Sequence, residues 1–164
     1  MLILLRAVVY ASVFISLLLV LVPARLLQWS GVSLTDGFGA RQIAGIAVVL
    51  LGAALTAWCV VTFAFLGRGT PAPFDPPRAL VVRGPYRFVR NPMYLGAAMA
   101  IAGAGLYYAS WPVLGYALLF LLGTHVFVRL YEEPTLTRLF GTDYVSYCET
   151  VRRWLPRRPR AAPL

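Results

Sequence analysis

Long apolar blocks separated by short polar segments set the plan of this chain. Leu2 to Val22 is the first block, interrupted only by Arg6, whose long side chain can reach the nearby interface. No A-x-A cleavage site follows it, so it reads as an uncleaved first span. Pro23 to Arg41 reads as a short loop carrying Gly31, Asp36, Gly37 and Gly39. Gln42 to Leu66 is an uncharged run of 25 residues, enough to cross a bilayer with some tilt. Met93 to Tyr108 and Val113 to Val128 follow, 16 residues each. As helices these two would be roughly 24 Å long, slightly short for a crossing. With Ser110-Trp111-Pro112 between them they predict a tight helical hairpin. Gly96, Ala100 and Ala104 supply a small-residue face on which membrane helices can approach closely.

The polar segments are as distinctive. Residues 67–92 open on G-R-G-T-P-A-P-F-D-P-P-R, too rich in proline and glycine for regular helix or a central strand. They continue into R-G-P-Y-R-F-V-R-N-P-M-Y-L-G from Arg83 to Gly96, which holds three arginines and two tyrosines. From Tyr131 the chain turns polar again. Leu136, Leu139 and Phe140 form one apolar stripe, and Tyr144, Tyr147, Cys148 and Val151 form another. Two amphipathic helices are expected here, with Gly141 ending the first and Thr142 capping the second. A basic tail closes the chain. The fold class is therefore an all-α integral membrane protein of about four transmembrane helices. The last two form the hairpin, and amphipathic helices follow at the C-terminus. One membrane domain is expected, divided into spans (1–66), a loop (67–92), the hairpin (93–130) and the C-terminal segment (131–164).

Composition supports this plan. Of 164 residues 60% are hydrophobic and only 13% are charged, about half the charged share of a soluble domain. The net charge is +9, and every basic residue is arginine. Too little of the chain lies outside lipid to form a nucleic-acid surface, so the excess reads as a topology signal. Five arginines lie in residues 67–92 and six between Arg138 and Arg160, whereas Arg25 and Arg41 stand alone on the other side. Both termini and the 67–92 loop are thus expected in the cytoplasm. Cys59 and Cys148 should lie in different environments and stay unpaired. No cysteine or histidine cluster points to a metal. His125, the single histidine, reads as a hydrogen-bonded interior residue.

The chemistry-bearing residues gather at the hairpin ends. Arg83, Arg87 and Arg90 precede it, and Arg129, Glu132 and Glu133 follow it. On an unbroken helix His125, Arg129 and Glu133 would share one face. Acids at the hydrocarbon edge are costly and are usually kept for a task. Arg138, Arg152 and Arg153 read as interfacial anchors. Trp29, Trp111 and Trp154 read as members of an aromatic belt. None of the G-x-G triplets sits between a strand and a helix, so no dinucleotide fingerprint is present.

Taken together, G-P-Y-R-x-x-R-N-P-x-Y-x-G and the later E-E-x-x-L-x-x-x-F-G-x-x-Y-x-x-Y resemble the isoprenylcysteine carboxyl methyltransferase group of membrane enzymes. Phospholipid N-methyltransferases are their relatives. The second motif is carried by Glu132-Glu133, Leu136, Phe140-Gly141, Tyr144 and Tyr147. The resemblance covers about Arg78 to Pro156. It implies S-adenosylmethionine as methyl donor and a lipid or lipidated acceptor, with an isoprenylcysteine-like carboxylate as first choice and a lipid amine as second. It also implies donor contacts from Arg78, Ala79, Leu80, Val81, Tyr86, Arg90, Asn91, Pro92, Met93, Tyr94 and Glu132. Arg129 and Glu133 are the implied residues at the reacting end. The best-known members carry histidine where this chain has Asn91, which cannot serve as a base near neutral pH. Sterol-type reductases share related C-terminal motifs and use a nicotinamide cofactor, but they are longer. A non-catalytic membrane subunit is the third reading, opposed by the intact tyrosines and paired acids.

Overall fold

The computed structural model describes residues 17–31, 38–66 and 79–156. Most of the first apolar block, the start of the 67–92 loop with Arg68 and Arg78, and the basic tail lie outside these residues. Among the described residues all regular structure is helical. One isolated parallel bridge, between Val89 and Arg152, is the single extended pairing there.

A wide π-helical turn over Leu17–Leu21 leads into α1, Val22–Trp29. A loop was expected from Pro23. Instead the helix continues to Trp29, with Pro23 placed where the π-helical turn passes into α1. α2, Ala40–Leu66, realises the long uncharged run as 27 helical residues. A short 3₁₀ turn, Gly84–Arg87, follows in the loop. α3 is Pro92–Tyr107 and α4 is Trp111–Phe127, each with proline in its first turn. The turn between them passes through Ala109 at φ 51°. A second π-helical turn, Val128–Glu132, carries α4 into α5, Glu133–Phe140, and α6 is Thr142–Thr150. Two stretches are long and apolar enough to cross a membrane, Ala40–Phe63 and Trp111–Phe140.

α2 and α3 touch backbone to backbone. A Cβ on Gly52 would lie 2.5 Å from the Gly96 carbonyl oxygen, and one on Gly103 would lie 2.7 Å from that of Gly45. The seam therefore uses glycines on both helices. On α3 it runs from Gly96 past Ala100 and Gly103 to the Tyr107 backbone, which a Cβ on Gly45 would meet at 2.7 Å. α3 meets α4 through Ile101, Val113 and Ala117, all buried, with Leu26 and Leu27 of α1 against the same cluster. The Tyr116 hydroxyl donates to the Leu18 carbonyl at 2.9 Å, fastening the first turn to α4. The outward faces of α2 and α4, including Leu50, Leu51, Leu118, Leu119 and Leu122, are exposed, as lipid-facing helices require.

The two apolar stripes expected after Tyr131 merge into one. Tyr144, Tyr147 and Val151 are buried together, and Leu80, Leu136, Phe140 and Cys148 lie against them. Leu139 is exposed instead. Gly141, at φ 53°, both closes α5 and precedes α6. Thr142 is the first residue of α6 rather than its cap, and no side chain caps that helix.

Candidate functional site

Three segments converge at one end of α3 and α4: the loop residues 79–91, the π-helical turn with the start of α5, and the stretch after α6. The loop is divided between two supports. Val81 and Tyr86 are buried against Cys59 of α2, with Met93 beside them. Leu80 turns the other way, into the α5–α6 cluster. Ala79 is exposed. The Tyr147 hydroxyl donates to the Tyr86 carbonyl at 2.6 Å, tying α6 to the 3₁₀ turn. Burial lifts the Tyr86 phenol well above the usual tyrosine range, with nearby Cys59, Tyr147 and Glu132 adding to the effect.

Asn91 precedes Pro92, and a residue before proline is held out of helical geometry. Its own position is the N-cap of α3, yet its side chain does not cap. The amide instead donates to the Arg153 carbonyl at 3.3 Å. The backbone follows the same path. The N–H groups of Arg90 and Asn91 donate to the carbonyls of Arg152 and Arg153 at 2.9 and 3.3 Å. Pro92 is fully buried beneath this joint.

The two acids part company. The Tyr94 hydroxyl donates to a Glu132 carboxylate oxygen at 3.0 Å. Glu132 is half-buried and forms no ion pair among the described residues. Glu133 is held by two cations. Arg153 donates through Nε and Nη2 to its two oxygens at 2.8 and 2.7 Å, a two-pronged contact. Arg90 Nη1 lies 3.1 Å from Oε1, and the same nitrogen contacts the Cys148 sulfur. The hydrogen bond to Glu133 raises the Arg153 guanidinium above its usual range. Arg90 Nε is buried with no partner among the described residues.

Arg129 and His125 do not join this cluster in the expected way. Glu133 pairs with Arg90 and Arg153 rather than with Arg129, which is exposed. The reason is the π-helical turn between them. Its i→i+5 bonding changes the helical register, so the i, i+4 face read from the sequence does not persist through Val128–Glu132. His125 is hydrogen-bonded, as expected, but its partner is new: Trp154 Nε1 donates to its Nδ1 at 2.9 Å.

Arg153 and Trp154 are the residues that sequence reading missed. Both were assigned to the interface, Arg153 as an anchor and Trp154 as part of the aromatic belt. Instead they make specific bonds to Glu133 and His125. No local spacing marks either role, because their partners lie 20 and 29 residues away. Trp29 and Trp111, by contrast, are largely exposed, as a belt requires.

The arrangement offers one carboxylate without an ion pair, Glu132, beside a phenol, and next to it in the chain an acid held by two arginines, at the end of an apolar helix pair. That suits a ligand with a cationic centre and an anionic group. A family model described as phospholipid methyltransferase matches residues 40–143 of the chain. No curated protein and no solved structure matches it.

Proposed function

Because the chain belongs to the phospholipid methyltransferase family, a family of membrane methyltransferases, we propose that it moves a methyl group from S-adenosylmethionine to a lipophilic acceptor at the cytoplasmic face of a membrane. The observation that carries this reading is Glu132. It is a half-buried carboxylate bonded to a neutral phenol, with no cation beside it among the described residues. A carboxylate drawn away from water without a counter-charge is costly, and a cationic ligand offsets that cost.

S-adenosylmethionine, when bound, supplies an electrophilic methyl on a sulfonium and brings an ammonium and a carboxylate. Glu132, oriented by Tyr94, would face the positive charge. Arg90 would face the carboxylate through the guanidinium edge that Glu133 leaves open. Tyr86, Met93 and the 79–81 backbone would line the remaining wall, with Arg78 adjoining it. Arg129, exposed at the end of the hairpin helices, would meet the acceptor. Binding and alignment supply most of the rate in such a transfer.

We favour an oxygen acceptor, a carboxylate such as that of an isoprenylcysteine-like lipid. A carboxylate has no proton to lose. The site offers little to take one: Glu133 is committed to two arginines, the His125 Nδ1 to Trp154, and Asn91 is no base. The family description favours the second reading, a phospholipid amine. Glu132 would then have to accept the proton.

The placement follows the expected four spans, of which Ala40–Phe63 and Trp111–Phe140 are long and apolar enough to cross. Arg83, Arg87, Arg90 and Arg138 through Arg153 lie on the side that the positive-inside rule assigns to the cytoplasm. The test is incubation of purified protein with methyl-labelled donor and membrane lipids. Label released by base as volatile methanol identifies a methyl ester, and label that stays on a non-volatile headgroup after base treatment identifies an amine. No labelled lipid, with no donor binding by calorimetry, would defeat the assignment.

A further inference from the structure

The segment after α6 runs along the site as a strap. Val151 anchors it in the buried cluster with Tyr144 and Tyr147. Arg152 pairs with Val89 across the parallel bridge. The Arg153 carbonyl accepts from both the backbone and the side chain of Asn91. Trp154 closes on His125 of α4. One short stretch thus joins the loop, α4 and α5, and the Arg153 side chain at its centre is only 26% exposed.

We infer that Arg153 is a positioning residue for the donor site, acting through Glu133 to fix what Glu132 presents. This rests on the methyl-donor reading above. Glu132 and Glu133 are adjacent where the π-helical turn becomes α5, and the two side chains reach different partners. Arg153 takes both oxygens of Glu133 while Arg90 reaches one of them. Two consequences follow. The π-helical turn is pinned from the strap side, so Glu132 keeps its line to Tyr94. The charge of Glu133 is also cancelled, so a ligand meets one acid rather than two. Without Arg153, one guanidinium would remain for Glu133, and that guanidinium is the one that faces the donor carboxylate. Loss of Arg153 would therefore set Glu133 and the ligand in competition for Arg90.

The inference separates the strap from simple ballast. A merely structural contact would lower the melting temperature of R153Q and leave the donor affinity of the folded fraction unchanged. The positioning role predicts that R153Q and E133Q each weaken S-adenosylmethionine binding about tenfold, the loss expected for one charged hydrogen-bonded partner. The double variant R153Q/E133Q should bind no more weakly than either single one, because the two act as one unit. R153K keeps the charge but not the two-pronged geometry and should recover part of the loss. In turnover, the donor KM should rise in R153Q while kcat stays close to that of the unaltered protein.

Calorimetry of the full chain in detergent, with melting curves on the same samples, decides the matter. Unchanged donor affinity in folded R153Q would overturn the role of Arg153, as would multiplicative losses in the double variant. Absence of donor binding by the unaltered protein would instead overturn the donor reading, and this role with it.

Discussion

Glu132 and Tyr94 are 38 residues apart in the chain and 3.0 Å apart at their polar atoms. Their pairing gives the sharpest expectation at the scale of single residues. Glu132→Gln removes the negative charge and keeps the shape, so the fold should persist. Affinity for S-adenosylmethionine should fall by about tenfold or more, the value of a charged hydrogen bond. Tyr94→Ala should act in the same direction by freeing the carboxylate to turn. Calorimetry with the two variants checks both, and normal binding by both would place the donor elsewhere. The acid pair was legible in the sequence because acids at a membrane edge are rare and need a cause. Their division of labour was not legible. Which of two neighbouring carboxylates meets a cation depends on partners brought in by the strap. Asn91 teaches the same lesson. Read alone, it stood in for a family histidine. In the fold its amide is spent on the Arg153 carbonyl, a contact 62 residues away.

Among the helices, the α2–α3 seam sets how closely the loop can approach α2, and hence where Val81 and Tyr86 find Cys59. Gly52 is its tightest testable point. A methyl there would press on the Gly96 oxygen at 2.5 Å and the Ala100 nitrogen at 2.8 Å, both backbone atoms that cannot rotate aside. Gly52→Ala should destabilise the protein by about 1–3 kcal/mol, the usual cost of overpacking. Gly123 is the control, because nothing lies within 4 Å of a Cβ added there. Gly123→Ala should be neutral, or stabilising by up to about 1 kcal/mol through helix propensity. Thermal melts in detergent compare the two, and equal shifts would mean that the seam is not close-packed. The helices themselves were legible, since long uncharged runs have no other satisfactory form in lipid. The π-helical turns were not, because no residue pattern at 17–21 or 128–132 distinguishes i→i+5 from i→i+4 bonding. That one unseen turn removed Glu133 from the face of Arg129.

For the molecule as a whole, the extramembrane part is held together by phenols. Tyr86, Tyr144 and Tyr147 lie outside the spanning segments and are buried. Burial is the main reason that each keeps its proton beyond the usual tyrosine range, with Cys148 adding to the effect at Tyr144 and Tyr147 and Arg90 opposing it. The sign of the linkage is fixed by that direction. The folded protein binds these protons more tightly than the unfolded chain, where tyrosine titrates near about 10. The stabilisation is therefore fully present below about pH 10 and is lost as pH rises above it. The melting temperature in detergent should not vary with pH near neutrality on account of these groups, and should fall steeply in alkaline buffer. Tyr147→Phe separates the phenolic proton from the ring. It loses the hydrogen bond to the Tyr86 carbonyl and should melt lower at neutral pH, by an amount corresponding to about 1 kcal/mol. Its decline above pH 10 should nevertheless be shallower, because one of the three titrating groups is gone. A Tyr147→Phe curve parallel to that of the unaltered protein would show that the α6-to-loop joint is not where the alkaline sensitivity resides. A shallower curve would place the joint, and with it the wall of the site, under the control of a buried hydroxyl.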